Sequence, residues 1–259
     1  MKRAPLLISM SIVVFGAFLV GWYAWPRLFP TPTPNVPLER NVATSNINTG
    51  TVKSNGNANT NTPRNSNTAT ALPSEVNLTA PFTSQAPFAV WDEDHEDFCE
   101  EASALMAARA LQGRAIKDAA DAEAALQELK QWQMDRFGYF KSTTAAEVAE
   151  MIREVYGRET ELLTDPTVND LKRELAAGHF VIVPAAGREL GNPNFRQPGP
   201  LYHMLLLKGY TVRGEFVTND PGTRKGQNYV YDFDVLMEAI RDWNDGDVMN
   251  GARVVIIVS

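Results

Sequence analysis

The chain has 259 residues, with 24 Lys plus Arg against 31 Asp plus Glu, three His, a single Cys and 44% hydrophobic residues. One Cys excludes a disulfide framework and any multi-thiolate zinc or iron-sulfur site, and three scattered His without an HExxH pattern leave little for a transition metal, so neither a metal nor a cofactor is expected. The charge is uneven: residues 1–77 hold six Lys or Arg and two Glu, which leaves 18 basic and 29 acidic residues, a formal charge of −11, in residues 78–259. A surface that acidic repels phosphate backbones, and with no basic patch in view no nucleic-acid partner is expected.

Met1-Lys2-Arg3 precedes an uncharged run from Ala4 to Trp25, APLLISMSIVVFGAFLVGWYAW. These 22 residues rise about 33 Å as a helix, enough for a hydrocarbon core of about 30 Å. The run is longer than a usual signal-peptide core and lacks a good small-x-small cleavage site, and Trp22, Tyr23 and Trp25 gather at one end, where an interface would hold them. Residues 1–25 are therefore read as a transmembrane anchor, with a cleaved signal peptide as the alternative. Lys2 and Arg3 favour a cytoplasmic N-terminus, which puts the rest of the chain outside the cell membrane. Residues 26–76 run from TPTP into a stretch crowded with Asn, Thr and Ser. They bury too little apolar surface to offset ordering entropy and read as a disordered linker, with an r.m.s. reach of about 35–40 Å.

Residues 77–259 then form one domain. Helices are expected from Cys99 to about Leu111, from near Asp118 to Trp132, between a cap at Ser142 or Thr143 and Gly157, and between a cap at Asp165 or Thr167 and Gly178. Strand-like runs follow at HFVIVPA from His179, HMLLLKGYTV from His203, EFVTN from Glu215, NYVYDF from Asn228 and the C-terminal ARVVIIVS, with a short helix over Phe233–Trp243. Helices first and strands afterwards predict an α+β domain whose two halves face each other.

A lone Cys is often a small buried hydrophobe. Cys99, however, stands where an irregular segment gives way to a helix, and the dipole of a helix N-terminus favours a thiolate. His203 opens the most apolar strand, in LYHMLLLKGY, and Asp220 follows the next strand, in TNDPGTRKG, where a short antiparallel turn would bring it beside His203. A nucleophile on a helix with its base on a sheet makes cysteine catalysis plausible. Asn219 could orient His203 in place of Asp220. Glu100 and Glu101 suit the first turn of a helix, yet their charges would oppose a thiolate if they face the sulfur.

The ordered set SQAP, CEEAS, GHFVIVPAAG, YHMLLLKGY and NDPGT resembles a papain-like cysteine peptidase, most closely the stand-alone relatives of the bacteriocin-processing double-glycine peptidases. The resemblance implies an α+β papain-like fold in which a helical part carrying the Cys packs on an antiparallel sheet carrying the His and Asp. It implies Cys99 as nucleophile, His203 as general base and acid, Asp220 as its orienting group, and Gln85 as side-chain donor of an oxyanion hole completed by the Cys99 backbone N–H. The function so implied is a membrane-anchored, extracytoplasmic cysteine peptidase that hydrolyses a peptide or protein substrate through a thioester. A catalytically inactive peptide- or cell-wall-binding relative and a cell-wall amidase or transpeptidase stay open, as does the oligomeric state. Of the other features, His95 reads as a solvated loop residue, His179 as an edge-strand residue, and the acid run Asp92–Asp97 as a solvated face without the spacing of a calcium loop. The Gly- and Pro-rich stretch from Gly187 to Gly222 reads either as a substrate-facing loop or as a structural connection.

Overall fold

The computed structural model describes residues 71–259; the expected anchor at 1–25 and nearly all of the linker lie outside the described residues. Seven strands form one antiparallel sheet: β1 (Val76–Asn77), β2 (Thr160–Thr164), β3 (Phe180–Ala186), β4 (Tyr202–Tyr210), β5 (Glu215–Asn219), β6 (Gln227–Asp232) and β7 (Val254–Val258). The strand order is β2-β7-β3-β4-β5-β6, with β1 also paired to β4. Five helices accompany it: α1 (Cys99–Leu111), α2 (Ala119–Phe137), α3 (Ala145–Tyr156), α4 (Val168–Ala176) and α5 (Phe233–Ala239).

The helix boundaries follow from side-chain chemistry. Thr144 and Glu147 form a reciprocal capping box at the start of α3, and Gly157 ends it at φ +61, a conformation that glycine adopts without a Cβ penalty. The cap is Thr144 rather than the expected Ser142 or Thr143. Thr167 and Asp170 repeat the device on α4, and the Asp118 side chain accepts from the Asp121 N–H at the start of α2. The second helix runs on to Phe137, past the expected Trp132, and the last helix stops at Ala239 rather than Trp243. Strand β2, TELLT, escapes a periodicity reading because it is a half-exposed edge strand without clean alternation, held by its pairing to β7.

All nine residues of β4 are buried, so this strand needs a cover on both faces. Tyr202, Met204 and Leu206 pack with α1, α2 and α3 in one core. Leu205 and Leu207 point the other way, into a second core with Leu171 and Leu175 of α4 and Leu236 and Ala239 of α5. Helices therefore lie on both sides of the sheet instead of in one half that faces a strand half. Pro184 is tolerated inside β3 because it lies opposite Met204 beyond the end of the β7 pairing, where its carbonyl accepts from the Arg241 N–H and no ladder donor is lost.

The fold begins slightly before the expected boundary at Asn77. Val76 pairs with Tyr210, whose hydroxyl donates to the Pro73 carbonyl. Gly209 makes this docking possible, since a Cβ there would stand 2.2 Å from the Val76 carbonyl oxygen. Among the described residues no helix is long and apolar enough to cross a membrane.

Candidate active site

Cys99 is the first residue of α1, and the helix enters through a 3-10 turn at His95–Asp97 and the buried ring of Phe98. The sulfur faces the backbone N–H of Met204, so the N-terminus of α1 meets β4 one residue after His203. At that point β5 has stopped pairing with β4, whose register with β5 begins at Leu206 and Asn219. The sheet edge is thus open where the thiol approaches it.

His203 is the second residue of β4, on the face opposite Met204. Its Nε2 bonds Asp220 Oδ1 at 2.8 Å, and both side chains are almost completely buried. Asp220 caps the end of β5, and its carboxylate is fully satisfied. Oδ1 also accepts from the Gly222 N–H at 2.9 Å, while Oδ2 accepts from Tyr231 Oη at 2.5 Å and from Asn192 Nδ2 at 3.2 Å. Burial would raise its pKa, but the facing His203 charge and these donors outweigh burial and hold the carboxyl below its usual value. Asn219 does not touch the imidazole: its amide donates to the Pro81 carbonyl and accepts from the Asn228 N–H, tying β5 to the N-terminal segment and to β6. Of the two candidates, Asp220 contacts the imidazole and Asn219 does not.

The thiol is not placed as a bare helix N-terminus would place it. Cys99 Sγ donates to Glu100 Oε2 at 3.0 Å, and no hydrogen bond joins it to His203. Burial, followed by the charge of Glu100 and the hydrogen bond to it, pushes the thiol well above its ordinary value. The dipole preference for a thiolate is thus outweighed, first by burial and then by Glu100, which faces the sulfur. Glu100 is itself lifted to about 8, mainly by burial. Glu101, also buried, accepts from Gln133 Nε2 at 2.5 Å and is raised well above the carboxylate range by burial and by the charge of Glu100.

Gln85 lies beside the site, since its backbone N–H donates to the Pro221 carbonyl next to Asp220. Its side-chain Nε2, expected to serve the oxyanion hole, donates instead to the His95 and Glu96 carbonyls at 2.8 and 3.0 Å, and Oε1 is buried without a partner. The amide thereby pins the turn that leads into Cys99.

The acid run is largely a solvated face, with Asp92, Glu93 and Glu96 exposed, but it is laced with surface ion pairs. His95, expected to be solvated, is wedged between Asp92 at 2.6 Å and Glu123 at 2.9 Å, and the hydrogen bonds that its ring donates to these two carboxylates raise its pKa against the opposing effect of burial. Lys141 pairs with Glu93 and Asp97, Lys130 with Asp94, and Arg196 with Glu96. Each acid from Asp92 to Asp97 thus meets a cation from another element or from His95 itself. His179 lies just before β3 and bonds Glu174 at 2.8 Å, away from the chemistry.

The stretch after β3 contributes to the site. Asn192 braces Asp220, and Phe195 stands edge-on to the His203 ring with centroids 5.2 Å apart. Arg196 reaches Glu96 at 3.1 Å, so the loop bridges the His side and the Cys side. Asn192 and Tyr231 were not singled out from sequence, because a bracing role for Asn or Tyr leaves no motif. An open hollow of about 320 Å³ is lined by Phe82, Ser84, Pro87, Ile116 and Arg224 among others, and none of Gln85, Cys99 and His203 lines it. Among the described residues no group of three or more His, Cys, Asp or Glu is arranged to hold a metal ion.

Residues 77–245, well over half of the chain, match the model of the Peptidase_C39 like family. The chain belongs to that family. As a C39-like protein it is a cysteine peptidase, a hydrolase of the papain-like α+β type. Two solved structures are similar to this C39-like chain at low identity. One is a "putative C39-like peptidase" from Bacillus anthracis, 14% identical, covering 71% of this chain and 97% of its own, with a TM-score of 0.47. The other is Xylellain, a cysteine protease from Xylella fastidiosa, 15% identical, covering 73% of this chain and 87% of its own, with a TM-score of 0.31. No curated protein matches the C39-like chain in sequence.

Proposed function

We propose that this C39-like peptidase cleaves a peptide or protein substrate through a thioester on Cys99, with His203 as base and acid and Asp220 as its orienting group. The observation that carries the reading is the buried His203–Asp220 pair at the sheet edge where the only Cys of the chain begins a helix. The imidazole bonds Asp220 through Nε2, which leaves Nδ1 for the sulfur. His203 takes the thiol proton, and the sulfur attacks the scissile carbonyl carbon. The oxyanion that forms is held by the Cys99 N–H and by Gln85, which exchanges its bond to His95 or Glu96 for one to the new charge. The imidazolium then protonates the departing amine as the C–N bond breaks. Water, deprotonated by His203, hydrolyses the thioester and releases the acid product. Asp220 stabilises the imidazolium throughout without taking its proton.

The enzyme acts outside the cell membrane in this reading, anchored by residues 1–25 through the linker at 26–76. The uncharged run Ala4–Trp25 after Lys2 and Arg3 supports that placement. Protease added to intact cells should release a soluble fragment of the domain's size, and complete protection of the C-terminus would reverse the orientation.

The chemistry is tested by incubating the full-length chain with a peptide library and reading new termini by mass spectrometry. Cys99→Ala and His203→Ala should each abolish cleavage, and an acyl adduct on Cys99 should be trapped at low pH. Cleavage that persists in Cys99→Ala would sink the reading. An adduct passed to an amine rather than to water would identify a transpeptidase.

A further inference from the structure

The mechanism above makes no use of Glu100, although this buried carboxyl touches the reacting atom. We propose that Glu100 is a catalytic residue that governs the thiol proton: as a neutral acid it donates its O–H to the Cys99 thiolate, and as a carboxylate it accepts the S–H and holds Cys99 as an unreactive thiol. The inference rests on the reading of Cys99 as the nucleophile.

The geometry is specific. Sγ and Glu100 Oε2 are 3.0 Å apart, and both side chains are almost fully buried, so no water competes for the contact. The groups that face Glu100 come from four directions. On α1 they are Cys99 and Glu101; in the 3-10 turn, Asp97; before α3, the Thr143 backbone N–H; and on β4, Tyr202, which in turn bonds Asp242. None of these side chains is cationic, and Lys141, which pairs with Asp97 of that turn, is engaged by Glu93 as well. An ionised Glu100 therefore has the thiol, its own backbone N–H and the Thr143 N–H as its donors, with the Asp97 charge opposing it. Burial agrees, since it lifts Glu100 to about 8.

The proton count fixes the consequence. In the working state His203 carries the proton taken from Cys99 and Glu100 keeps its own, so three groups hold two protons. Removing one more leaves the last proton on sulfur, aimed at the Glu100 carboxylate, with His203 neutral. The 3.0 Å contact between Sγ and Oε2 suits either arrangement, because it fixes the two heavy atoms and leaves the proton free to lie on one or the other. A Cys–His pair lacking such an acid would behave in the opposite way, because loss of the imidazolium proton leaves a thiolate that alkylates faster still.

Cys99 is the only Cys, so iodoacetamide labelling of the full-length chain reports on it alone. The rate should rise to a maximum near neutrality and then fall at least fivefold by about pH 9.5, with circular dichroism showing that the protein stays folded. Glu100→Gln cannot ionise. It should label about threefold more slowly at neutral pH, because an amide is the weaker donor, and should show no alkaline fall. A wild-type rate that climbs steadily through pH 8, or a Gln variant that falls like wild type, overturns the proposal. The wild-type profile decides even if the variant does not fold. His203→Ala separates the two levels of the argument. If it slows neutral labelling while the wild-type rate climbs with pH, the nucleophile reading survives and the Glu100 role fails. If it leaves labelling unchanged, the nucleophile reading fails and this inference falls with it.

Discussion

His203 Nε2 and Asp220 Oδ1 stand 2.8 Å apart with neither side chain reaching solvent, and the second oxygen of Asp220 is held by Tyr231 and Asn192. A carboxylate so fixed can stabilise an imidazolium without reorganising. Asp220→Ala should lower kcat/KM by about 10²–10⁴-fold, the usual scale for losing acid-base assistance. Asn219→Ala should cost far less turnover and act mainly on stability, because Asn219 joins backbone segments. Tyr231→Phe, which keeps the other donors, should lose less than about tenfold. Steady-state kinetics of the three variants check the order, and a larger loss in Asn219→Ala than in Asp220→Ala would reassign the orienting role.

Gly222 is required by the imidazole. A Cβ at that position would lie 2.8 Å from His203 Cε1 and equally close to the Phe195 ring. Gly222→Ala should displace the base while leaving the strands and the two cores intact. The expected result is a loss of about tenfold or more in kcat with a thermal midpoint close to wild type, since catalysis is sensitive to misplacements of about 1 Å. A variant with full turnover would show that the loop yields without moving His203.

Arg196 and Glu96 form an exposed ion pair across the site, between the loop that covers His203 and the turn that leads to Cys99. Cys99, His203 and Asp220 are all buried beneath, so a substrate must part these elements. Exposed pairs are weak and screened by salt. Arg196→Ala should therefore raise the rate of Cys99 alkylation modestly, about two- to fivefold, and remove its dependence on salt. Raising NaCl from about 0.05 to 1 M should have a similar effect on wild type. Identical rates for variant and wild type at low salt would show that the pair does not control access.

Glu101 is a buried acid whose proton the native state retains, because burial and the neighbouring Glu100 charge raise its pKa well above the ordinary carboxylate range. The unfolded chain releases that proton near 4.5. Between the two values the folded state binds more protons, so this group lowers stability as pH rises, by about 1.4 kcal/mol per pH unit. Glu101→Gln removes the slope and keeps an acceptor oxygen for the Gln133 amide. Its thermal midpoint should exceed wild type at pH 8 by clearly more than at pH 5. An equal shift at both pH values would mean that Glu101 does not titrate differently on folding.

Much of the frame could be read along the chain. Capping residues such as Thr167 and the glycine that ends α3 mark helix ends by local hydrogen bonding and backbone freedom. The runs at β3, β4, β5 and β7 are apolar enough to be strands in any environment, and the order Cys99, His203, Asp220 suggested a nucleophile on a helix and its base on a sheet. These features depend on neighbours close in sequence or on total apolarity. The two-sided helix cover was decided by tertiary packing, because β4 is buried on both faces and each face selects its own helices. The site details were decided in the same way. Whether Glu100 points at the sulfur, whether the Gln85 amide is free, and which residues brace Asp220 all depend on side-chain direction. Their partners can be far apart in the chain, as Asn192 and Tyr231 are from each other and Glu96 is from Arg196. Periodicity sets the face on which a residue lies, but only the packed structure sets the atom that it meets.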